Sequence, residues 1–176
     1  MTDLRGQALR TALGRFATGV AVVTGANDGT PFGLTCQSFV SVSLDPPLIA
    51  ISPSKISKSW PFIAASGAFC VNVASAAQRE MCREFAASGG DKFSRVTWQP
   101  SGSTGSPVIA GCVAWIDCTV EKALEVGDHY LIIGMVVDHR VHGGQPLLYY
   151  RSQFHHLVGA DDSEPGAAIA TASLPC

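Results

Sequence analysis

Few residues of the sequence are charged, and its basic residues are not clustered. Only 15% of its 176 residues are charged, the formal net charge is −2, and no run of lysine or arginine occurs. Nucleic-acid-binding proteins depend on clustered basic residues for phosphate contacts, so this composition argues against that class. Apolar residues make up 47% of the chain, which predicts one domain with a substantial core and favours further burial in an oligomer.

Long hydrophobic runs are also missing. The longest apolar stretch, residues 108–116, is far too short to cross a bilayer. The N-terminus carries Asp3, Arg5 and Arg10 and lacks the apolar core of a signal peptide. We therefore expect a cytoplasmic protein without a membrane partner.

The six cysteines form no CxxC motif and have no Cys-His ligand spacing. The histidines likewise lack HExxH-like spacing, so no metal site is expected. In an intracellular protein such cysteines are most simply buried free thiols.

Neither nucleotide fingerprint, GxGxxG or GxxxxGK[ST], occurs. The chain instead shows short strands separated by turns, such as the hairpin signal at residues 27–30 and the alternating, half-buried pattern of Val40, Val42 and Leu44. A capping box of Ser75 and Gln78 opens one of three helices. This order predicts a mainly β fold, an antiparallel barrel with a few flanking helices, rather than a doubly wound parallel sheet.

Further boundaries follow from the same patterns. Residues 4–16 and 59–65 have helical signals, residues 88–105 are typical of a long loop, and residues 147–157 predict one last strand. The domain is expected to span residues 1–158. Residues 159–176, rich in Ala, Ser and Pro, predict a disordered tail.

Small hydrogen-bonding side chains follow one another at Thr35, Cys36, Gln37 and Ser38. In a strand they alternate between the two faces, and the backbone lines any ligand alongside. Such a surface suits a flat ligand with polar edges, such as a flavin ring, although an ordinary polar barrel edge would have the same residues.

A second group comprises serines and lysines ahead of a predicted helix. It contains Ser52, Pro53, Ser54, Lys55, Ser57, Lys58 and Ser59. Hydroxyls, ammonium groups and free N–H groups at a helix start all favour a phosphate, whereas the simpler interpretation is a solvated loop with a helix cap.

Three further segments are candidates. The turn Gly127-Asp128-His129 could direct His129 into a ligand cleft, or could simply be an exposed turn. Phe85 and Phe93 could cover a cofactor, although Phe85 is most simply core and Phe93 could instead make a dimer contact. Tyr150 and Arg151 could contact a dinucleotide, although a surface position is the alternative.

Taken in order, these segments resemble the short-chain flavin reductases, which are the reductase components of two-component flavin monooxygenases and have the FMN-binding split-barrel fold. The narrower likeness is to actinobacterial reductases that serve aromatic or steroid-ring hydroxylases, including the 3-HSA hydroxylase. The segments that carry the resemblance are FATGVAVVTG, GLTCQSFVSVSLDPPL, SPSKISKSW, FCVNVA, EFA, KF, GDHYLIIGMV and PLLYYRSQF.

The resemblance implies a homodimer of antiparallel split β-barrels that transfers a hydride from NADH to FMN or FAD. Reduced flavin would then leave for a separate flavin-dependent oxygenase that acts on an aromatic substrate. The resemblance also implies flavin contacts in residues 35–38, 52–54 and 57–59. His129 would contact the nicotinamide and have the catalytic role. Tyr150 and Arg151 would contact NADH. Cys36-Gln37 departs from the residues common in relatives, which leaves FMN and FAD both open.

The cofactors would supply the reaction chemistry, and the protein would mainly position them. The alternatives are a non-enzymatic flavin- or heme-binding split barrel, a pyridoxamine-phosphate oxidase and a structural dimer. The oxidase would need more cationic groups than Lys55, Lys58 and Arg151 supply, and the structural dimer leaves the Ser-Lys loop unexplained.

Overall fold

A computed structural model describes residues 6–157, and the predicted tail at residues 159–176 lies outside that range. Its helices are α1 (Gln7–Leu13), α2 (Trp60–Ala65) and α3 (Arg79–Ala86), the last preceded by a 3₁₀ turn, Ala76–Gln78. The strands are β1 (Thr18–Gly19), β2 (Ala21–Asn27), β3 (Thr30–Cys36), β4 (Val40–Leu44), β5 (Pro47–Ile51), β6 (Ala68–Val73), β7 (Trp98–Pro100), β8 (Pro107–Ile109), β9 (Ala114–Val126), β10 (His129–Val141), β11 (Leu147–Tyr150) and β12 (Gln153–His156).

A seven-stranded sheet in the order β3-β2-β6-β9-β10-β5-β4 forms the body of the molecule. Every strand pair in it is antiparallel, as the sequence predicts. Smaller sheets, β1-β11-β12 and β7-β8, pack around it. The β2–β3 hairpin turns at Asp28 and Gly29, whose φ values of 49° and 76° require residues that tolerate the left-handed region.

Two clusters make up most of the core. One lies inside the large sheet and includes Val23, Ile51, Phe69 and Ile132, all with negligible exposure. The other lies between α3, β2 and β11 and includes Phe85 and Phe93. The second cluster fixes the C-terminal end of α3 against β3. Gly33 permits this contact, since a Cβ there would lie 2.5 Å from the Phe85 ring.

The capping box is present as predicted, because the Gln78 side chain accepts a hydrogen bond from the Ser75 backbone N–H at 3.0 Å. Pro61 lies in the first turn of α2, also as predicted.

Three predicted features differ from the structure. The apolar side chains of β4 are not half-buried but exposed, Leu44 at 90%. The predicted loop at residues 88–105 contains β7, which pairs with β8. The predicted last strand is two strands, because the chain turns at Arg151 and Ser152, both with positive φ. Neither is a glycine, so the sequence carried no signal for that turn.

Candidate functional site

A groove with a volume of about 430 Å³ runs between the end of β3, the loop that joins β5 to α2, and the end of α3. It contains nearly all the residues singled out from the sequence. The predicted residues that line it are Thr35, Cys36, Gln37, Ser38, Ser52, Pro53, Ser54, Ser57, Lys58, Ser59, Phe85 and His129. Segments up to 94 positions apart in sequence, from Thr35 to His129, therefore meet at one surface.

Ser38 connects the two groups of predicted residues. Its Oγ accepts a hydrogen bond from the Ser52 backbone N–H at 2.7 Å and lies 3.3 Å from the Ser52 carbonyl oxygen, to which it donates. Both backbone groups of Ser52 are thus held by one side chain. The role of the Ser38 hydroxyl within the chain is to fix the position of the loop after β5.

The side chains of β3 face in different directions at the groove. The Thr35 hydroxyl donates to the Cys82 carbonyl of α3 at 2.6 Å, which ties α3 to the strand. Cys36 Sγ lies 3.0 Å from Ser38 Oγ. Gln37 is exposed. Gln37, the residue after β3, therefore presents an accessible amide to a ligand in the groove.

The two lysines of the loop have different surroundings. Lys55 Nζ lies 2.9 Å from Glu125 Oε2 and 5.7 Å from the Tyr130 ring centroid. Lys55 does not line the groove, whereas Lys58 does. Within residues 6–157 no ion pair involves Lys58. Lys58 is therefore the loop cation that a phosphate in the groove would meet.

The turn between β9 and β10 is fastened to this loop by its backbone. The Lys55 N–H donates to the Asp128 carbonyl at 3.0 Å, and the Tyr130 N–H donates to the Pro53 carbonyl at 2.9 Å. These bonds hold His129 at the wall of the groove. Its Nδ1 lies 2.7 Å from Asp128 Oδ1, and this hydrogen bond is the main cause that lowers the pKa of Asp128. Nε2 is the ring nitrogen left for a ligand.

Sequence reasoning selected Phe85 of α3 as a site residue but did not assign the rest of this wall to the site. The residues concerned are Ala86, Ala87, Ser88, Gly89 and Lys92, together with Leu34. Lys92 Nζ donates to the carbonyls of Phe85 at 2.9 Å and Gly33 at 3.2 Å, and its partial burial lowers its pKa. Lys92 lies in a polar loop whose Lys-Phe pair contributes to the family resemblance, and the packing of α3 against β3 brings it to the groove.

Three predicted residues do not line the groove. Phe93 is buried in the core between the rings of Phe85 and Trp98. Tyr150 packs edge-on against His155, and the Arg151 N–H donates to the Gly14 carbonyl at 3.1 Å. Within a single chain, Phe93 therefore belongs to the core, and Tyr150 and Arg151 belong to the turn between β11 and β12. Contacts of Tyr150 and Arg151 with NADH stay a prediction.

The groove fits a flavin with a phosphate tail. Lys58, Lys92 and His129 can each carry positive charge, and among residues 6–157 no carboxylate lines the groove. The apolar side chains of Leu34 and Phe85 also line it. In the described part of the chain, no group of three or more His, Cys, Asp or Glu residues could hold a metal ion. Nor is any helix within residues 6–157 long and apolar enough to cross a membrane.

Comparisons with known proteins agree with this geometry. Residues 13–158 match the flavin reductase like domain. The reductase subunit HsaB of a flavin-dependent monooxygenase from Mycobacterium tuberculosis is 43% identical over 148 residues, which cover 82% of this chain and 79% of that protein. A flavin reductase from Pseudomonas putida is 45% identical over 150 residues, covering 84% of this chain and 88% of that protein.

A solved structure shows the same architecture. The NADH:FAD oxidoreductase SgcE6 of Streptomyces globisporus C-1027, in complex with NAD and FAD fragments, superposes with a TM-score of 0.85 at 34% identity and covers 90% of this chain and 97% of that one. The split-barrel fold predicted from the sequence is thereby confirmed. With this fold, this groove and a family match over most of its length, the chain belongs to the flavin reductase-like domain family.

Proposed function

We propose that this chain is the NADH-dependent flavin reductase component of a two-component monooxygenase. It transfers a hydride from NADH to FMN or FAD, and the reduced flavin diffuses to a separate oxygenase. Relatives described as reductase subunits of flavin-dependent monooxygenases support the oxygenase partner. The likeness to HsaB supports an aromatic, steroid-derived substrate for that oxygenase.

One observation carries this proposal most directly. A single groove gathers a polar strand end, a phosphate-suited loop and a histidine that come from three distant parts of the sequence. Lys58 is exposed on the wall of this groove, and within residues 6–157 no ion pair involves it. A bound phosphate would supply an anionic partner.

The residues of the groove bind and orient rather than exchange protons. Gln37 and the free backbone groups of residues 35–38 can hydrogen-bond the polar edge of a flavin ring, while Ser57, Lys58 and Ser59 bind its phosphate. The hydride leaves NADH and reaches the flavin without an acid or base from the protein. His129, held through Nδ1 by Asp128, is placed to hydrogen-bond the nicotinamide amide or to stabilise negative charge on the reduced flavin.

The proposal includes a homodimer. The edge strand β4 presents Val40, Val42 and Leu44 to solvent, and Phe16 is 77% exposed. Unpaired edges with apolar side chains are normally covered. A second copy would cover this face and could bring the Tyr150–Arg151 turn to the NADH. A cytoplasmic location stays a prediction from the sequence.

The proposed function is tested by following NADH absorbance with added FMN or FAD, with and without oxygen. We expect turnover that depends on added flavin, and accumulation of reduced flavin once oxygen is removed. Flavin binding without NADH oxidation would overturn the proposal. That result would favour the passive flavin or heme carrier considered from the sequence.

A further inference from the structure

A second pocket, of about 420 Å³, lies away from the groove described above. It is bounded by the β7–β8 hairpin, residues 110–112, the start of β9 and the end of β10, and within residues 6–157 it shares no lining residue with the groove. Strand β10 begins at His129, on the wall of the groove, and reaches this pocket at Arg140. With a rise of about 3.3 Å per residue, the two positions are roughly 35 Å apart along the strand. The pocket is therefore a separate space, and its volume is within the range of ordinary small-molecule sites.

Two of the three tryptophans of the chain line this pocket. Trp115, on β9, is only 9% exposed, and Trp98, on β7, is partly buried. Val108 and Ile109 of β8 add aliphatic surface. Indole rings have broad flat faces, so these walls favour a ligand with a planar, apolar body.

The end of β10 adds positive charge to the same pocket. Arg140 and His142 both line it, and Arg140 is the partner of Trp115 in the β9–β10 ladder. Within residues 6–157 no ion pair involves Arg140 or His142, and no carboxylate lines the pocket. The one acid of β10, Asp138, accepts a hydrogen bond from the His139 N–H at 2.8 Å. The Arg140 guanidinium, which is always charged, therefore has no anionic partner in the part of the chain that the structure describes.

Hydrogen bonds hold the walls of the pocket in place. The Ala110 N–H donates to the Thr97 carbonyl at 2.9 Å, and the Gln78 side chain donates to the Ala110 carbonyl at 2.8 Å. The His142 N–H donates to the Val113 carbonyl at 2.7 Å, which fastens the chain after β10 to the residue before β9. A ligand would therefore enter a preformed pocket, without the cost of ordering its walls.

We infer that this pocket binds a small planar aromatic compound that carries a carboxylate. The indole rings and the side chains of β8 contact the aromatic body, and Arg140 binds the carboxylate through its planar fork of N–H donors. A single guanidinium suits a carboxylate better than a phosphate, which carries more charge and more acceptor oxygens. No residue of the proposed flavin site takes part, so this second site does not depend on the proposed function.

Calorimetric titration of the full chain with 2-naphthoate tests this site. Two related compounds separate its two parts, because 2-naphthamide has the same rings without the charge, and decahydro-2-naphthoate has the charge without the planar rings. Three variants locate the binding. Arg140→Gln removes the proposed cation, Lys122→Gln removes an exposed cation of β9 that lines neither space, and Lys58→Ala removes a cation of the groove.

We expect Arg140→Gln to weaken 2-naphthoate binding about tenfold, the loss of one charge-assisted contact, and to leave 2-naphthamide binding unchanged. Lys122→Gln and Lys58→Ala should keep the Kd of 2-naphthoate within about twofold of the wild-type value. Decahydro-2-naphthoate should bind the wild-type chain about fivefold more weakly than 2-naphthoate, because it cannot stack on the indole rings. Arg140 is exposed, and an unchanged melting temperature would show that Arg140→Gln keeps the fold.

Equal Kd values of 2-naphthoate for the wild-type chain and Arg140→Gln would overturn this assignment, as would the absence of binding at millimolar concentration. Equal binding of 2-naphthoate and 2-naphthamide would show that the carboxylate is not recognised. Weaker binding in Lys58→Ala alone would place the compound in the groove instead. These titrations contain no flavin, so any of these results would leave the proposed function standing.

Discussion

At the scale of single residues, Lys55 and Lys58 form a natural matched pair. They lie in one loop, but the Lys55 ammonium is neutralised by Glu125 while Lys58 faces the groove. Lys58→Ala should therefore weaken FMN binding about tenfold, the loss of one charge-assisted contact. Fluorescence titration with FMN and with riboflavin, which has no phosphate, measures this effect.

Lys55→Ala is the control and should leave the Kd of FMN within about twofold of the wild-type value. Equal losses for FMN and riboflavin in Lys58→Ala would show that Lys58 does not act through the phosphate.

The buried thiols give a prediction with a defined pH dependence. Burial raises the pKa of Cys112 to about 11 and those of Cys82 and Cys118 to about 12, from an ordinary value of 9.0. At pH 8 about one in a thousand Cys112 side chains is the reactive thiolate. Brief treatment of the folded protein with iodoacetamide should leave these three thiols unmodified, as peptide mass spectrometry would show.

The raised pKa values of these thiols make the folded protein less stable at high pH. The folded chain holds these protons more tightly than the unfolded chain, so their contribution to stability is complete below pH 9. It declines as the pH rises from 9 toward 11 for Cys112 and toward 12 for Cys82 and Cys118. Rapid labelling of Cys112 at pH 8 would contradict the burial that the structure shows.

At the scale of secondary-structure elements, one buried side chain joins the small β7–β8 sheet to the large one. Asn72 Nδ2 donates to Thr24 Oγ1 at 3.0 Å and to the Val22 and Pro107 carbonyls, while its Oδ1 accepts from the Ile109 N–H at 2.7 Å. Asn72→Ala removes the acceptor of the Ile109 N–H and opens a cavity, although the Thr24 hydroxyl still donates to the Pro107 carbonyl. We expect the free energy of unfolding to fall by about 3 kcal/mol.

Urea denaturation measures this loss. Gln99→Ala, an exposed change on β7, serves as the control and should alter stability by less than about 0.5 kcal/mol. A loss of the same size in both variants would show that the network of Asn72 does not hold the hairpin.

The elements that carry local signals are those that sequence reasoning located. The Asn-Asp-Gly-Thr hairpin and the Ser75–Gln78 capping box are encoded by adjacent residues, and both are present. The break at Arg151–Ser152 was missed because positive φ in residues other than glycine leaves no pattern in the sequence.

The residues of the groove also fall into a group that the sequence could predict and a group that it could not. Residues 35–38 and 52–59 were predictable because their polar composition interrupts apolar strands. The part of the wall supplied by residues 86–89 and Lys92 was not, because it depends on where core packing places the end of α3.

At the scale of the whole molecule, the exposed apolar side chains of β4 contradict one prediction and support the proposed dimer. The alternation of Val40, Val42 and Leu44 predicted a strand with one buried face, yet all three side chains are more than half exposed, Leu44 at 90%. The alternation is accounted for if a second copy covers this edge. β3, at the opposite edge of the sheet, already packs against α3.

Val42→Glu should therefore shift the protein from dimer to monomer, because a carboxylate would be buried without a partner. Sedimentation equilibrium over a range of concentrations measures the change. Val141→Glu, at the exposed end of β10, is the control and should stay dimeric. A wild-type chain that is monomeric at micromolar concentration would contradict the assembly.

In the proposed function, the groove between β3, the β5–α2 loop and the end of α3 binds the flavin. Backbone hydrogen–deuterium exchange with and without FMN tests it most directly, since it reports the binding surface independently of turnover. We predict slower exchange in residues 34–38, 52–59 and 85–92 and little change elsewhere. Unchanged exchange in these three segments, with slowing in residues 97–99 and 140–143 instead, would show that the flavin binds outside this groove.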